Sequence, residues 1–157
     1  AILTIAANGR MTIAGAGNHP PIFYLIGPSG GFIVGTDTSG AESGFLEKQT
    51  GGPFGTSSIS GPFFAYSTSP TTGTGFETTY ATFNGAGTVS GTSDGSSASG
   101  LEPNKTFSDS YSFSTSSTPV GKGSVGANSI AYAISTGKII FLDVEPGRNP
   151  NLVFIQK

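Results

Sequence analysis

Apolar and polar residues along this chain alternate in short runs, and Gly or Pro interrupts almost every window of a dozen residues. No stretch sustains the 3.6-residue period of an amphipathic helix. β-Branched and aromatic residues fill the runs between the breakers, which is the signature of strands joined by short turns. The pattern predicts strands near 2–7, 10–15, 21–27, 31–37, 43–49, 59–67, 76–84, 87–93, 106–115, 120–127, 129–135, 138–144 and 151–156. In 106–115, Phe107, Tyr111 and Phe113 fall on one face of a two-residue repeat. Ile139 and Phe141 oppose Ile140 and Leu142, so that run reads as a strand buried on both faces. Segments 50–57, 67–75 and 92–105 are rich in Gly, Ser, Thr and Pro and read as longer loops, with Thr92 to Lys105 the most mobile.

Turn chemistry supports hairpins. Asn8-Gly9 lies between Leu3-Thr4-Ile5-Ala6 and Met11-Thr12-Ile13, and Asn84-Gly85-Ala86-Gly87 lies between Tyr80-Ala81-Thr82-Phe83 and Thr88-Val89-Ser90. Asn and Gly both tolerate the positive φ that a tight antiparallel hairpin demands. Ser29-Gly30-Gly31 and Thr136-Gly137 close two further hairpins. Hairpins in succession make an antiparallel meander, which needs no crossover helices.

The chain also echoes itself. Ile22-Phe23-Tyr24-Leu25-Ile26 followed by Gly30-Gly31-Phe32-Ile33-Val34 is matched by Ile130-Ala131-Tyr132-Ala133-Ile134 followed by Gly137-Lys138-Ile139-Ile140-Phe141, an offset of about 107 residues. Phe45-Leu46-Glu47-Lys48-Gln49 answers to Leu152–Lys157, and Gly9-Arg10-Met11-Thr12-Ile13 to Gly121-Lys122-Gly123-Ser124-Val125. The expectation is an all-β, antiparallel meander, barrel-like or a two-sheet sandwich. One complete unit, 58–157, follows the C-terminal part of a preceding unit, 1–49, with merger into a single domain over 1–157 as the alternative.

Composition narrows the field. Charged residues make up 10 % of the chain, against about a quarter in an average domain. The formal net charge is −2, and no Lys/Arg cluster is present, so nothing invites nucleic acid or an anionic membrane. With 12 Phe and 5 Tyr the chain can build a core, and low net charge argues against disorder. It has no Cys, hence no disulfide or thiolate metal site. Its Ser/Thr/Gly-rich balance leans towards an extracellular or cell-envelope location. No apolar run reaches the roughly 20 residues that span a bilayer as a helix. The strand-like start Ile2-Leu3-Thr4-Ile5 suggests that Ala1 follows a processing or proteolytic cut.

Candidate chemistry is sparse. His19, the sole histidine, sits in Asn18-His19-Pro20-Pro21; alone it makes no His-based metal site, and a Ser-His-Asp triad would have to rest on it. Asp143 and Glu145 are two apart at a strand end, the spacing that puts both carboxylates on one face as a glycosidase pair would need. Asp37 occupies nearly the same place in the first unit without a second carboxylate, which favours a turn-capping role. Gly121-Lys122-Gly123-Ser124-Val125-Gly126 matches G-x-G-x-x-G, but a strand rather than a helix follows it. Asp94-Gly95-Ser96 and Asp37-Thr38-Ser39-Gly40 offer oxygens to Ca²⁺ at less than the carboxylate density of calcium loops. Asn104-Lys105-Thr106 is a glycosylation sequon by pattern. Phe23, Tyr24, Phe63, Phe64, Tyr66, Tyr111 and Tyr132 read as core aromatics, with a sugar or lipid pocket as the other use. No residue is assigned as catalytic, cofactor-binding or metal-ligating, and no cofactor is expected.

In chain order Ser60-Gly61-Pro62-Phe63-Phe64-Ala65-Tyr66, the run Tyr80–Gly91, Ser93-Asp94-Gly95, Tyr111-Ser112-Phe113, Gly121-Lys122-Gly123, Ile130-Ala131-Tyr132 and the closing strand resemble the tandem β units of large secreted or lipoprotein-type acidobacterial proteins. Those units carry a G-x-Y-x-F start, an F-x-x-D/N-G-x-G-x-I/V-x-G hairpin, a G-R-G-T hairpin and a final strand ending near Gln. Here Lys122 replaces the Arg, and Met11 replaces the second Gly. The resemblance implies an eight-strand up-and-down barrel-like unit and attaches no catalytic residue to it.

If a unit has eight strands, the first contributes roughly five, leaving strand edges unpaired. Merger into one sheet system, excision from a longer polypeptide, or strand donation by a neighbour each resolves this. The expected role is a non-enzymatic structural or assembly module, its partners being copies of itself or adjacent repeats. Ordered multimers or filaments follow from this reading, with no nucleic acid and no membrane insertion. The alternative is a barrel that binds carbohydrate or a small ligand.

Overall fold

The computed structural model describes residues 2–15, 17–38, 42–67, 76–97, 99–116, 120–143 and 151–157. They form thirteen strands and one 3₁₀ turn (Thr56–Ser58), with no α-helix among them. The strands are β1 (Ile2–Ile5), β2 (Arg10–Ala14), β3 (Ile22–Gly27), β4 (Gly30–Val34), β5 (Ser43–Glu47), β6 (Ser60–Ser67), β7 (Phe76–Asn84), β8 (Thr88–Ser97), β9 (Gly100–Phe113), β10 (Lys122–Val125), β11 (Ser129–Ser135), β12 (Lys138–Asp143) and β13 (Asn151–Gln156). The chain divides into two compact units, Ala1–Lys48 and Gln49–Lys157.

The second unit is a closed barrel of eight antiparallel strands in chain order, sealed where β13 pairs with β6. Every neighbour in this up-and-down ring is also a neighbour in sequence, apart from that closing pair. Phe63, Ala81, Phe83, Val89, Tyr111, Phe113, Ala131, Ala133, Ile139 and Ile155 fill the interior, joined by Phe54 and Ile59 from the segment ahead of β6. Phe83 sits between two edge-on aromatic neighbours, its ring centroid 5.0 Å from Phe63 and 4.8 Å from Tyr111, the geometry favoured by ring quadrupoles.

The 3₁₀ turn is locked to the same end of the barrel. The Tyr111 hydroxyl donates to the carbonyl oxygens of Ile59 (2.6 Å) and Thr56 (3.2 Å), and the Phe113 amide donates to Thr56 Oγ1 (3.1 Å). Gln49 Nε2 donates to the carbonyls of Val120 and Ala133. Residues 49–59 thus stopper one end of the barrel, with Phe54 fully buried.

The first unit is a five-stranded antiparallel sheet in the order β1 to β5, and β1 and β5 are its two edges. Its hairpins follow the expected chemistry with one change. The Ala6 amide donates to Arg10 O, so the β1–β2 loop has three residues, Ala7-Asn8-Gly9, with Gly9 at φ +80. Asn8 Oδ1 accepts from the Arg10 amide. In the β7–β8 turn Asn84 Oδ1 accepts from the amides of Ala86 and Thr88, the side chain substituting for a backbone turn.

Three expectations need correction. Residues 92–105 are not a loop. β8 runs to Ser97 and β9 begins at Gly100, and the two pair from Thr88↔Ser110 out to Ser97↔Gly100. Ladder hydrogen bonds are made by the backbone, so a stretch without apolar side chains still pairs when a strand on either side offers partners. The β12 strand is not buried on both faces: Ile139 is fully buried, whereas Leu142 on the opposite face is exposed.

Nor are all the singled-out aromatics core. Tyr24, Phe64, Tyr66 and Tyr132 are exposed, and only Phe63 and Tyr111 of that set are buried. The parity of their strands turns them outward. Segment 68–75, within the expected loop 67–75, lies outside the described residues.

Candidate functional site

The two units share one hydrogen-bonding plan. Arg10 pairs with Tyr24 across β2 and β3 as Lys122 does with Tyr132 across β10 and β11. The Leu25 amide donates to Gly9 O (2.9 Å), as the Ala133 amide does to Gly121 O (3.0 Å). Gly9 and Gly121 both hold a left-handed conformation, φ +80 and +79, which favours glycine. The β3–β4 ladder shifts register between Leu25 and Gly27, and the β11–β12 ladder between Ala133 and Ser135. After β5 the Lys48 amide donates to Ser29 O, and after β13 the Lys157 amide donates to Gly137 O, both at 2.9 Å.

Register corrects the sequence alignment by one or two residues. Tyr24 opposes Phe32 where Tyr132 opposes Ile140, and Phe45 opposes Phe32 where Phe154 opposes Ile140. Phe32 therefore corresponds to Ile140 and not to Ile139, and Phe45 corresponds to Phe154. A one-residue slip exchanges the faces of a strand, so this decides what points inward. It also makes Gly35, whose amide bonds Glu42 O, the counterpart of Asp143 opposite Asn151. Asp37 falls two residues further on.

The same mapping reaches β1. Leu3 opposes Ile13 and Ile5 opposes Met11, as Tyr111 opposes Val125 and Phe113 opposes Gly123. Leu3 and Ile5 thus stand where the second unit has the two core aromatics of β9. Tyr111 and Phe113 are 3 % and 6 % exposed, whereas Leu3 and Ile5 are 61 % and 60 % exposed. Met11, Ile13, Phe23, Leu25, Ile33 and Leu46 continue that face and are only half-buried. Among the described residues every buried apolar side chain lies at or beyond Phe54. Among the described residues the first unit presents a barrel-type lining on an open sheet, bounded by two strands that each have one neighbour.

A second feature is the unstoppered end of the barrel. A pocket of about 210 Å³ opens there, walled by Ala81, Phe83, Phe141 and Ile155. Glu77, near the start of β7, and Asp143, at the end of β12, also line it. The Glu77 amide is held by Ser67 Oγ at 3.0 Å. The pocket is lined mainly by hydrocarbon with a few polar groups, the usual composition of a small-molecule site.

The individual candidates find bland settings. His19 is an exposed residue in the bend before β3. Glu145 lies outside the described residues, as do Ser39 and Gly40, so neither the Asp143/Glu145 pair nor the Asp37–Gly40 loop is brought together among described groups. Asp94 Oδ1 accepts from the Asn104 amide (2.8 Å), fixing Asn104 at φ +56 in the middle of β9. Among the described residues no three His, Asp or Glu side chains converge as metal ligands. Gly123 begins no phosphate loop. It lies within β10, where β9 passes so close that a Cβ would overlap the Ser112 carbonyl oxygen.

Outward-facing residues form a second recurrent pattern. Arg10, Tyr24, Phe32 and Phe45 lie side by side across β2–β5, and Lys122, Tyr132, Ile140 and Phe154 occupy the same row of β10–β13. In the barrel this row continues to Tyr66, which stacks on Phe154 at 5.4 Å, while Phe64 meets Tyr80 edge-on beside it. No protein family, curated protein or solved structure matches the chain.

Proposed function

We propose that this protein is a non-enzymatic structural module of a secreted or cell-surface protein, associating through β-strand edges or as part of a tandem array. The observation that supports it above all is the first unit. Among the described residues its edge strands β1 and β5 each lack a second neighbour strand, and a barrel-type apolar lining stays open to water. Unpaired backbone edges template further strands, and an exposed apolar face favours association. The outward aromatic row repeated in both units supplies further contact surface, and the chain's low charge opposes close stacking little. The resemblance to acidobacterial tandem β units fits the same reading. Light scattering on the native full-length protein tests it: ordered multimers, or a chain of several such units, are expected. A single-unit monodisperse monomer would overturn it.

A second reading, a barrel that holds a carbohydrate or small apolar ligand, is favoured by the pocket at the unstoppered end. Its test is binding of small apolar molecules and glycans to the wild-type barrel and to Ala81→Phe, which narrows the cavity.

A further inference from the structure

We propose that the first unit is the carboxyl-terminal five-eighths of a barrel of the same design as the second. The three strands that close it form an antiparallel meander lying immediately amino-terminal to Ile2 in the same polypeptide. This inference rests on the structural-module reading and names the partner of its open sheet.

Three observations carry it. The register of β1–β5 reproduces that of β9–β13 strand for strand, including the register shift in the β3–β4 hairpin and the terminal hydrogen bond from Lys48. At the positions equivalent to the lining of β9–β13 the inward face is apolar or glycine: Gly31 lies opposite Leu25 and Leu46, Gly44 opposite Ile33, and Gly35 takes the place of Asp143. In the second unit the surface equivalent to Leu3 and Ile5 is covered by residues from 54–89, with Tyr111 bonded to the segment just before β6.

Connectivity then fixes the source. β9, the counterpart of β1, is reached by a hairpin from β8, and β13, the counterpart of β5, pairs with β6. In an up-and-down ring the strand that flanks β1 must therefore precede it in the chain, and the strand that flanks β5 is the first of the same three. A second copy is a poor donor, because its β6–β8 are already paired on both sides within a closed barrel. The closing strands are expected to alternate, with inward residues of the kind found at Phe63, Ala65, Ala81, Phe83 and Val89.

The register specifies the experiment. Ile2 corresponds to Ser110, since Leu3 corresponds to Tyr111, so residues 50–109 of this chain are joined directly ahead of Ile2–Lys157. The original and extended chains are compared by hydrogen exchange, by binding of an apolar dye and by light scattering. Exchange at β1 and β5 amides should slow by about a hundredfold or more in the extended chain, as expected when frayed edges join a cooperative barrel. Dye binding should fall.

In the extended chain Leu3→Asp should restore dye binding, while Thr4→Asp on the opposite face should not. Unchanged exchange and dye binding, with the 49–157 barrel intact, would overturn the inference. So would slow exchange at β1 and β5 in the original chain caused by dimer formation, although the assembly reading would then survive. If the extended chain closes but remains a lone monomer in its native full-length context, closure stands and the assembly reading falls.

Discussion

Leu25 lies directly opposite Gly31 across β3 and β4, and in the second unit the same two positions hold Ala133 and Ile139. The bulk has changed strands. One rung away Phe23 faces Ile33, where Ala131 faces Phe141, so an aromatic ring has crossed the ladder in the same way. A lining packed to crystal-like density tolerates such exchanges only when neighbouring volumes compensate. Compensation of this kind matters inside an enclosed lining and not on a solvent-facing sheet, which supports the closure proposed for the first unit.

The exchange can be tested within the closed barrel. Ala133→Leu alone overfills a site that is 0 % exposed and should cost about 1–3 kcal/mol. Adding Ile139→Ala should recover part of that loss, with a coupling of about 1 kcal/mol in a double-mutant cycle. Urea unfolding of the four chains measures it.

Tyr111→Phe removes the hydroxyl that binds the Ile59 and Thr56 carbonyls but keeps the ring. A loss of about 1–2 kcal/mol is expected, because buried carbonyls lose their donor. The 3₁₀ turn that stoppers the barrel should exchange its amides faster, while β7 and β8 remain protected.

Gly123→Ala should be severe and Gly44→Ala mild. A Cβ on Gly123 overlaps the Ser112 carbonyl, whereas one on Gly44 meets nothing nearer than Ile33 at 4.0 Å. Gly44 is also the counterpart of Val153, a position that already accepts a branched side chain. Thermal unfolding should show a shift of many degrees for the first substitution and almost none for the second.

The outer part of the β8–β9 hairpin should open locally. Among the described residues β9 pairs with β10 only from Tyr111 to Phe113, so its earlier residues form an edge. Pro103, Glu102 and Lys105 guard that edge, as is usual for a strand that must not template another. Exchange at 100–107 should be faster than at 111–113. Asp94→Ala, which frees the Asn104 amide, should accelerate it further.

Much of this architecture is legible in the sequence. Turn residues place all thirteen strands, and the internal echo divides them into five and eight. Two things were hidden, for physical reasons. The Gly/Ser/Thr run after Thr92 has no side-chain pattern that distinguishes strand from loop, because its ladder is held by backbone alone. Glycines, the obvious landmarks, misalign the two units by one residue: Ser29, not Gly30, occupies the turn position of Gly137.

That slip exchanges the inward and outward faces of β4; Tyr24 and Tyr132, which the sequence aligns correctly, look like core but belong to the outer row. The lining of the open sheet becomes visible only when hydrogen-bond partners, rather than letters, are matched. The pocket was legible only as a general property of small barrels, since its walls come from strands far apart in sequence.

The crossing of Leu25 and Gly31 has a consequence for grafts between the two units. A lone β3 moved into the place of β11 would bring Leu25 against Ile139 and Phe23 against Phe141, while a lone β4 would leave Gly31 beside Ala133 and a void. Only the whole hairpin carries both members of each pair, so a graft between the two units keeps these volumes matched only as a two-stranded ribbon.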